Sequence, residues 1–339
     1  MQVFNFLRQT IHPAYLGVDI GTTTVKMVEV SQGKVFPKID NYGILESRSS
    51  LTRANSVFQT SSLKLFDKDI VEILHMLVGK MKPKTREVVA SLPGFSAFMT
   101  VVDFPAMNPA DLSRALAFKA KEFIPLPISE VALDWLKVGE YVDDRGFKYD
   151  QILLISVPRE QIKKYQDIFK SAGFILRALE IEPLSIVRSA IAGDPTPTLV
   201  IDIGSRSTAI IAAEQGELRF ASQTDFASAS LTQALASSLE INPLRAEELK
   251  RERGVLRGGP TEELSTIISP FLDAIINEVK RFERSYASQF VNAKKFERIL
   301  LAGGGSNLLG LEKYISDSFG IPAAKAAPFM KFEYDNKIE

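Results

Sequence analysis

The stretch "LGVDIGTTTVKMVEV", residues 16–30, is restated in kind by "LVIDIGSRSTAIIAA", residues 199–213. Each copy reads as an apolar strand, an aspartate, Ile-Gly, a run of hydroxylated residues and a second apolar strand. Asp202 takes the place of Asp19, and Gly204 that of Gly21. A surface hairpin reverses with Asn-Gly or Asp-Gly alone, so hydroxyls flanked by a carboxylate and an ammonium exceed what a turn requires. Two copies predict two related lobes, each opening on strand-turn-strand. Between them "AGDPTPT", residues 192–198, predicts a hinge near residue 195, since two prolines and a glycine interrupt regular structure. Length agrees: 339 residues exceed the roughly 250–300 at which a single core stops growing.

The rest of the pattern is α/β. In the first lobe "KDIVEILHMLVGKM" has helical apolar spacing at Ile70, Ile73, Leu74 and Leu77, and "REVVASLP" is a short strand stopped by Pro93. "NPADLSRALAFKAKEFI" is a helix with Asn108 as N-cap and Pro109 first. "QILLISVP" reads as a buried strand, and "REQIKKYQDIFKSAG" as a helix closed by Gly173. In the second lobe "RAEELKRERG" is a charged helix capped by Gly254, and "TIISPFLDAIINEVKRFERSYASQF" a long amphipathic one that its early proline could start afresh. "FERILLAGGGSNLLGLEKYISDSFG" predicts strand, triple-glycine turn and helix, with Leu308, Leu311, Ile315 and Phe319 buried.

Composition removes several classes of function. The 41 basic and 41 acidic residues cancel, leaving no net field to hold nucleic acid or an anionic membrane. Absence of cysteine excludes disulfides, thiol catalysis and thiolate metal sites, and fits a cytosolic protein. His12 and His75 are too far apart in sequence to suggest a triad or metal motif. No stretch approaches the roughly 18 apolar residues of a membrane span. "MQVFNFLRQTIH" sets Val3, Phe4, Leu7 and Ile11 on one side of a short helix; with Arg8 inside, it reads as a docked arm or an amphipathic contact rather than a signal peptide.

The hairpins suggest an anion. Each glycine lets successive N–H groups point to one side as a nest, with hydroxyls from Thr22, Thr23, Ser205 and Ser207 and the charge of Lys26 adding phosphate-binding capacity. Asp19 and Asp202 would repel phosphate unless Mg²⁺ intervened, an ion that takes one or two carboxylates alongside phosphate and water. A single such hairpin would read as a plain turn; two copies favour the ligand. Gly303, Gly304 and Gly305 bring backbone close either to a ligand or to a packed neighbour. Glu247 and Lys250, three apart on one helix, are either a surface ion pair or part of a site.

Taken together with the Glu-Pro of "EIEPLSI", these motifs resemble the actin-like ATPase superfamily of actin, chaperone ATPase domains, MreB, FtsA and sugar kinases. Within it, the chain is similar to the PilM family of type IV pilus assembly proteins. "LGVDIGTTTVKMVEV", "VDFPAMNPADLSRALAFKAKEFIPLPISEVALDW" and "SVPREQIKKYQDIFKSAGFILRALEIEPLSIVRSA" carry that resemblance, which covers roughly residues 14–322. It implies an actin-like, ribonuclease H-like fold of two lobes with an inserted FtsA/PilM-type subdomain. The expected division is an arm at 1–14, first-lobe core at 15–92 and 151–195, insertion at 93–150, and second lobe at 196–339 with a smaller helical part near 240–290.

The resemblance also implies roles. Gly21, Thr22, Thr23 and Lys26 match one phosphate loop; Gly204, Ser205, Arg206 and Ser207 match the other; Asp19 and Asp202 match the Mg²⁺ carboxylates. Gly303, Gly304, Gly305 and Ser306, with Glu247 and Lys250, match the adenosine contacts, and Glu182 the carboxylate that orients or deprotonates the attacking water. ATP or ADP with Mg²⁺ is the implied cofactor. The implied partner is the cytoplasmic tail of a PilN-like inner-membrane protein, with other pilus platform proteins and self-association also open. Phe95, Phe98, Met99 and Phe104 are candidates for the peptide groove or for core. Where the family has Gly-Gly after the second hairpin, this chain has Ala227 and Ser228, and Arg206 stands where a smaller neutral residue is usual; together they imply binding with slow or absent hydrolysis. The implied place is the cytoplasm, at the inner face of the cell membrane through partners. Alternatives are a small-molecule, sugar-type kinase or an FtsA-like filament former.

Overall fold

The computed structural model describes residues 14–46, 67–191, 193–255, 262–290 and 292–335. The N-terminal arm lies outside them. The chain divides into two compact units, Met1–Leu45, Phe66–Ser189 and Phe329–Glu339 in one, Glu46–Leu65 and Ala190–Pro328 in the other.

The first unit opens on β1 (Ala14–Ile20), β2 (Thr24–Ser31) and β3 (Lys38–Glu46). Alternation in β1 buries Leu16, Val18 and Ile20 on one face, as the period of two requires. Helix α1 (Asp67–Met81) buries Ile70, Ile73, Leu74, Leu77 and Met81, a stripe at i, i+3, i+4 spacing. Strand β4 (Glu87–Leu92) pairs parallel to β1.

Then comes a body with its own sheet: β5 (Phe98–Pro105), helix α2 (Pro109–Phe123), β6 (Val131–Val142) and β7 (Lys148–Pro158), ordered β5-β7-β6. Asn108 caps α2 by accepting the Asp111 N–H at 2.9 Å, with Pro109 following, so the predicted helix start is the observed one. Val102, Phe104, Leu112, Leu116, Ala120, Ile124, Val131, Ile152 and Leu154 form a core between helix and sheet. The expected boundary at 150 cuts through β7, which stays in this sheet to Pro158. A strand buried on both faces carries no alternation to say which sheet it joins. The aromatic group divides likewise: Phe104 is core, whereas Phe95 and Phe98 are exposed.

Helix α3 (Arg159–Ser171), β8 (Ile175–Ile181) and α4 (Glu182–Ala190) complete the unit. Strand β8 is parallel to β4, so the carboxyl ends of β1, β4 and β8 lie along one edge of the sheet.

The second unit contains β9 (Thr198–Ile203), β10 (Thr208–Glu214), β11 (Glu217–Thr224), α5 (Ser228–Ser238), α6 (Pro243–Arg253), α7 (Glu262–Gln289), β12 (Arg298–Ala302), α8 (Leu311–Phe319) and β13 (Ala323–Lys325). Its sheet runs β11-β10-β9-β12-β13, the same succession as β3-β2-β1-β4-β8. Helix α7 passes through Pro270 instead of restarting there. A proline inside a helix costs about 3 kcal/mol; burial of Ile268, Leu272, Ile275, Ile276, Val279, Phe282 and Tyr286 along the same face outweighs it.

The chain end departs from expectation. Residues from Phe329 belong to the first unit, where β14 (Glu333–Tyr334) pairs parallel to Lys38 and Ile39 of β3. A two-residue strand leaves no periodic signal in a sequence. Among the described residues no helix is long and apolar enough to cross a membrane.

Candidate functional site

The two hairpins share one backbone. The Gly21 N–H donates to the Thr24 carbonyl at 2.9 Å, and the Gly204 N–H to the Ser207 carbonyl at 2.9 Å. A Cβ at Gly21 would stand 3.0 Å from the Thr24 oxygen, and one at Gly204 only 2.8 Å from that of Ser207. Glycine is therefore what lets each turn close. Thr22, Thr23, Ser205, Arg206 and Ser207 occupy the turn positions, all half-buried.

Their surroundings differ. Across β1 and β2, Asp19 faces Lys26, whose Nζ lies 3.0 Å from Asp19 Oδ2 with both side chains substantially exposed. The Ser91 hydroxyl, at the end of β4, donates to Asp19 Oδ1 at 2.9 Å. In the second unit the position opposite Asp202 holds Ala209, where the first holds Lys26. Instead α5 seats on the turn: the Ser228 and Ala229 N–H groups donate to the Gly204 and Ser205 carbonyls at 3.1 and 2.9 Å. The Thr208 hydroxyl ties the same place to the Phe226 carbonyl at 2.7 Å. Burial draws the Arg206 guanidinium below its ordinary range, with the charge of Asp225 opposing. Ala227 begins α5 at φ −151, ψ 175, extended backbone that any residue adopts. The missing Gly-Gly thus removes no conformation that Ala227 needs.

The triple glycine meets the hairpin from β12. Gly303 has φ +75, and a Cβ there would lie 2.4 Å from Asp202 Oδ1 and 2.5 Å from the Ile203 carbonyl. A Cβ at Gly305 would lie 2.4 Å from Ile203 Cγ2, whereas one at Gly304 would meet nothing within 4 Å. Two glycines are used for packing and the middle one borders open space. Ser306, buried, donates to the Gly303 carbonyl at 2.7 Å and braces the turn.

Lys250 and Glu247 do more than a surface pair would. Lys250 Nζ is buried, 2.6 Å from Glu247 Oε2, 2.8 Å from Thr232 Oγ1, and 2.8 and 3.2 Å from the hydroxyl and carbonyl of Ser228. The pair fastens α6 to the start of α5, and through Ser228 to the hairpin. Burial lowers the Lys250 pKa, partly offset by the Glu247 charge. For Glu247, burial acts upward, but Lys250, Thr232 and Arg251 outweigh it and hold the carboxyl below its usual range. The end of α6 is fixed to the glycine turn by the Val255 N–H, 2.8 Å from the Leu309 carbonyl. Asp202, Gly204–Ser207, Gly303–Ser306 and the Glu247–Lys250 pair are thus joined by direct contacts within one unit.

In the first unit Glu182 begins α4 and accepts the Gly94 N–H at 3.2 Å. Tyr165 is pushed upward by burial and then by the charges of Glu182 and Asp19, so both carboxylates act on one buried phenol. Sequence reasoning missed Ser91, Thr208, Ser228 and Thr232. Only the last two left a trace, a hydroxyl pair at i, i+4 opening a helix.

Each unit by itself has donors that suit a phosphorylated ligand: hydroxyls and amides at its glycine turn, with Lys26 in the first and Arg206 in the second. Among the described residues no three His, Cys, Asp or Glu side chains cluster into a metal cage.

Two sheets of one strand order, each opening on an Asp-Ile-Gly hairpin, define the actin-like fold. Solved structures agree: one titled as a PilM-PilN type IV pilus biogenesis complex superposes with TM-score 0.79 at 22% identity, over 96% of this chain and 91% of that one. MreB5 of Spiroplasma citri bound to AMPPNP gives 0.55 at 14% identity, over 94% and 92%. The chain matches the family described as Type IV pilus assembly protein PilM over residues 17–339 and belongs to it. Cell division protein FtsA of Enterococcus hirae is 22% identical over 349 residues, covering 91% of this chain and 76% of that protein.

Proposed function

We propose that this protein is a nucleotide-binding scaffold of type IV pilus assembly, whose bound ATP or ADP, with Mg²⁺, governs its grip on the short cytoplasmic tail of a PilN-like membrane protein. The observation that carries the reading is the second unit's turn: Gly303 and Gly305 pack against Asp202 and Ile203 while Gly304 borders open space. Packing alone needs two glycines; the third leaves backbone approachable by a ligand.

On this reading the amides and hydroxyls of Ser205 and Ser207, with the Arg206 guanidinium, hold phosphate oxygens, while Gly204 closes the turn that presents them. Gly21, Thr22, Thr23 and Lys26 of the first unit do the same from their hairpin. Mg²⁺ would neutralise phosphate charge, with Asp19 and Asp202 as its carboxylates. Gly304 receives the adenosine side, and the Glu247–Lys250 pair keeps α6 and α5 fixed around it. Lys250, already bonded to Ser228 and Thr232, acts by positioning. Glu182 orients water, and its bond to the Gly94 amide restrains the carboxylate, which agrees with slow hydrolysis. Family membership and the relative titled as a PilM-PilN complex support the partner. The protein would work in the cytoplasm, drawn to the inner face of the membrane by that tail.

The test is tail-peptide binding to the full chain with and without saturating Mg²⁺-ATP. A nucleotide-dependent change of about fivefold or more, the lower range of allosteric coupling, is expected. Equal binding in both conditions, with ATP shown to be bound, would remove the coupling.

A further inference from the structure

The β2–β3 turn holds an anion that belongs to the chain itself. The Glu333 carboxylate accepts three consecutive backbone N–H groups, from Lys34 at 3.2 Å, Val35 at 2.7 Å and Phe36 at 3.1 Å. Gly33 makes room: a Cβ there would stand 2.0 Å from the Phe36 carbonyl and 2.9 Å from Glu333 Cδ. Successive amides converging on one point form a nest, a site for an anion in its own right. The segment bearing Glu333 is lightly attached. Strand β14 pairs only two residues with the nine-residue β3, and the Glu333 N–H donates to the Pro37 carbonyl at 2.9 Å. Lys38 stands 3.6 Å from Asp335 and 3.8 Å from Asp40, so a second acid two residues on meets a lysine that β3 itself already engages. Val35, Phe36, Phe329 and Tyr334 leave large apolar surfaces exposed around the contact.

We propose that residues 32–39 form a docking site for an extended acidic peptide of a partner protein, and that residues 329–335 fill it in cis as a displaceable strap. The strap shows what the site recognises. A glutamate enters the nest, the backbone adds to β3 as a parallel strand, and an acid two positions later meets Lys38. Addition to an exposed sheet edge is a general mode of peptide capture, in which the main chain supplies affinity and side-chain positions supply specificity. The nest supplies the specificity here, since a carboxylate satisfies three amides that an amide side chain cannot match. The strap raises the threshold for a partner, because its own glutamate must leave first.

The test uses the full chain and a labelled peptide of sequence FMKFEYD, followed by fluorescence anisotropy. Glu333→Gln in the protein should free the site and raise peptide affinity about tenfold or more over the parent, the scale of a charge-assisted hydrogen bond. The same peptide with glutamine for glutamate should bind that variant about tenfold more weakly. Amide exchange at Lys34, Val35 and Phe36 should quicken in Glu333→Gln. Equal peptide binding by parent and variant, indifference to the glutamate, or unchanged exchange would each overturn the proposal. A parent that elutes as a dimer, and becomes a monomer in Glu333→Gln, would place a second copy's strap in the site and overturn the partner reading.

Discussion

The hairpins at Gly21 and Gly204 have the same hydrogen bond, the same aspartate two residues before the glycine and the same place in the same strand order. They differ in what holds them. The first keeps an exposed lysine beside its aspartate and borrows one hydroxyl from β4. The second has α5 seated on its carbonyls, Gly303 against its aspartate, and a buried lysine fastening α6 to α5. One backbone thus serves two ends: a turn braced by a lysine–aspartate pair and one hydroxyl, and a turn whose backbone is locked by the helix seated on it. The two lysines, Lys26 and Lys250, sharpen the contrast.

Lys250→Met should have the largest effect. Removing the cation leaves Glu247 half-buried and without its main partner, and breaking such pairs costs about 3–5 kcal/mol. Urea unfolding would show it; a loss near zero would mean that α6 does not depend on the pair. Gly303→Ala comes next, at about 2–4 kcal/mol, combining positive-φ strain with overpacking against Asp202. Gly304→Ala, with open space around it, should stay within about 0.5 kcal/mol. If the two alanines destabilise alike, the division of labour inside the triple glycine is wrong. Lys26→Met should cost less than about 1 kcal/mol of stability, as exposed pairs do. It should nevertheless weaken nucleotide binding about tenfold, read by titration, because a charge-assisted bond to phosphate is lost.

The smallest effect is in pH. Glu247 has a folded pKa below its unfolded value, near 4.3 for an ordinary glutamate. Its contribution is therefore complete above that unfolded value and disappears as pH falls through the lower, folded one. In Lys250→Met the largest influence holding the carboxyl down is gone, and only Thr232 and Arg251 still oppose burial, so the local slope of stability against pH should flatten. Unfolding midpoints of the two proteins between about pH 3 and 6 would show the flattening or its absence.

Much of this was legible in the residues, for reasons that can be named. The repeated hairpin carries a pattern dense enough to mark both units, and α2 announces its start because Asn108 and Pro109 satisfy the chemistry of a helix N-terminus. Whether α7 restarts at Pro270 stays open in the sequence, because local propensity says nothing of the apolar face that carries the helix through it. The limit of the inserted body was misplaced because β7 is buried on both faces. At the site, glycine positions were visible but not their separate duties, which depend on contacts with Ile203 and Asp202 across the sheet. For Lys250 the sequence leaves a surface pair and a site role both open, since its neighbours Ser228 and Thr232 come from another helix. Glu333 gave no sign at all: a carboxylate bound by backbone amides leaves no complementary side chain to read.

Nucleotide binding itself is the claim on which the proposed function rests, and calorimetric titration of Mg²⁺-ATP into the full chain measures it most directly. The parent should bind saturably, while Asp19→Ala and Asp202→Ala, each checked for an unchanged fold by circular dichroism, should bind about tenfold or more weakly. Binding that is absent in the parent, or equal in all three proteins, would contradict the account.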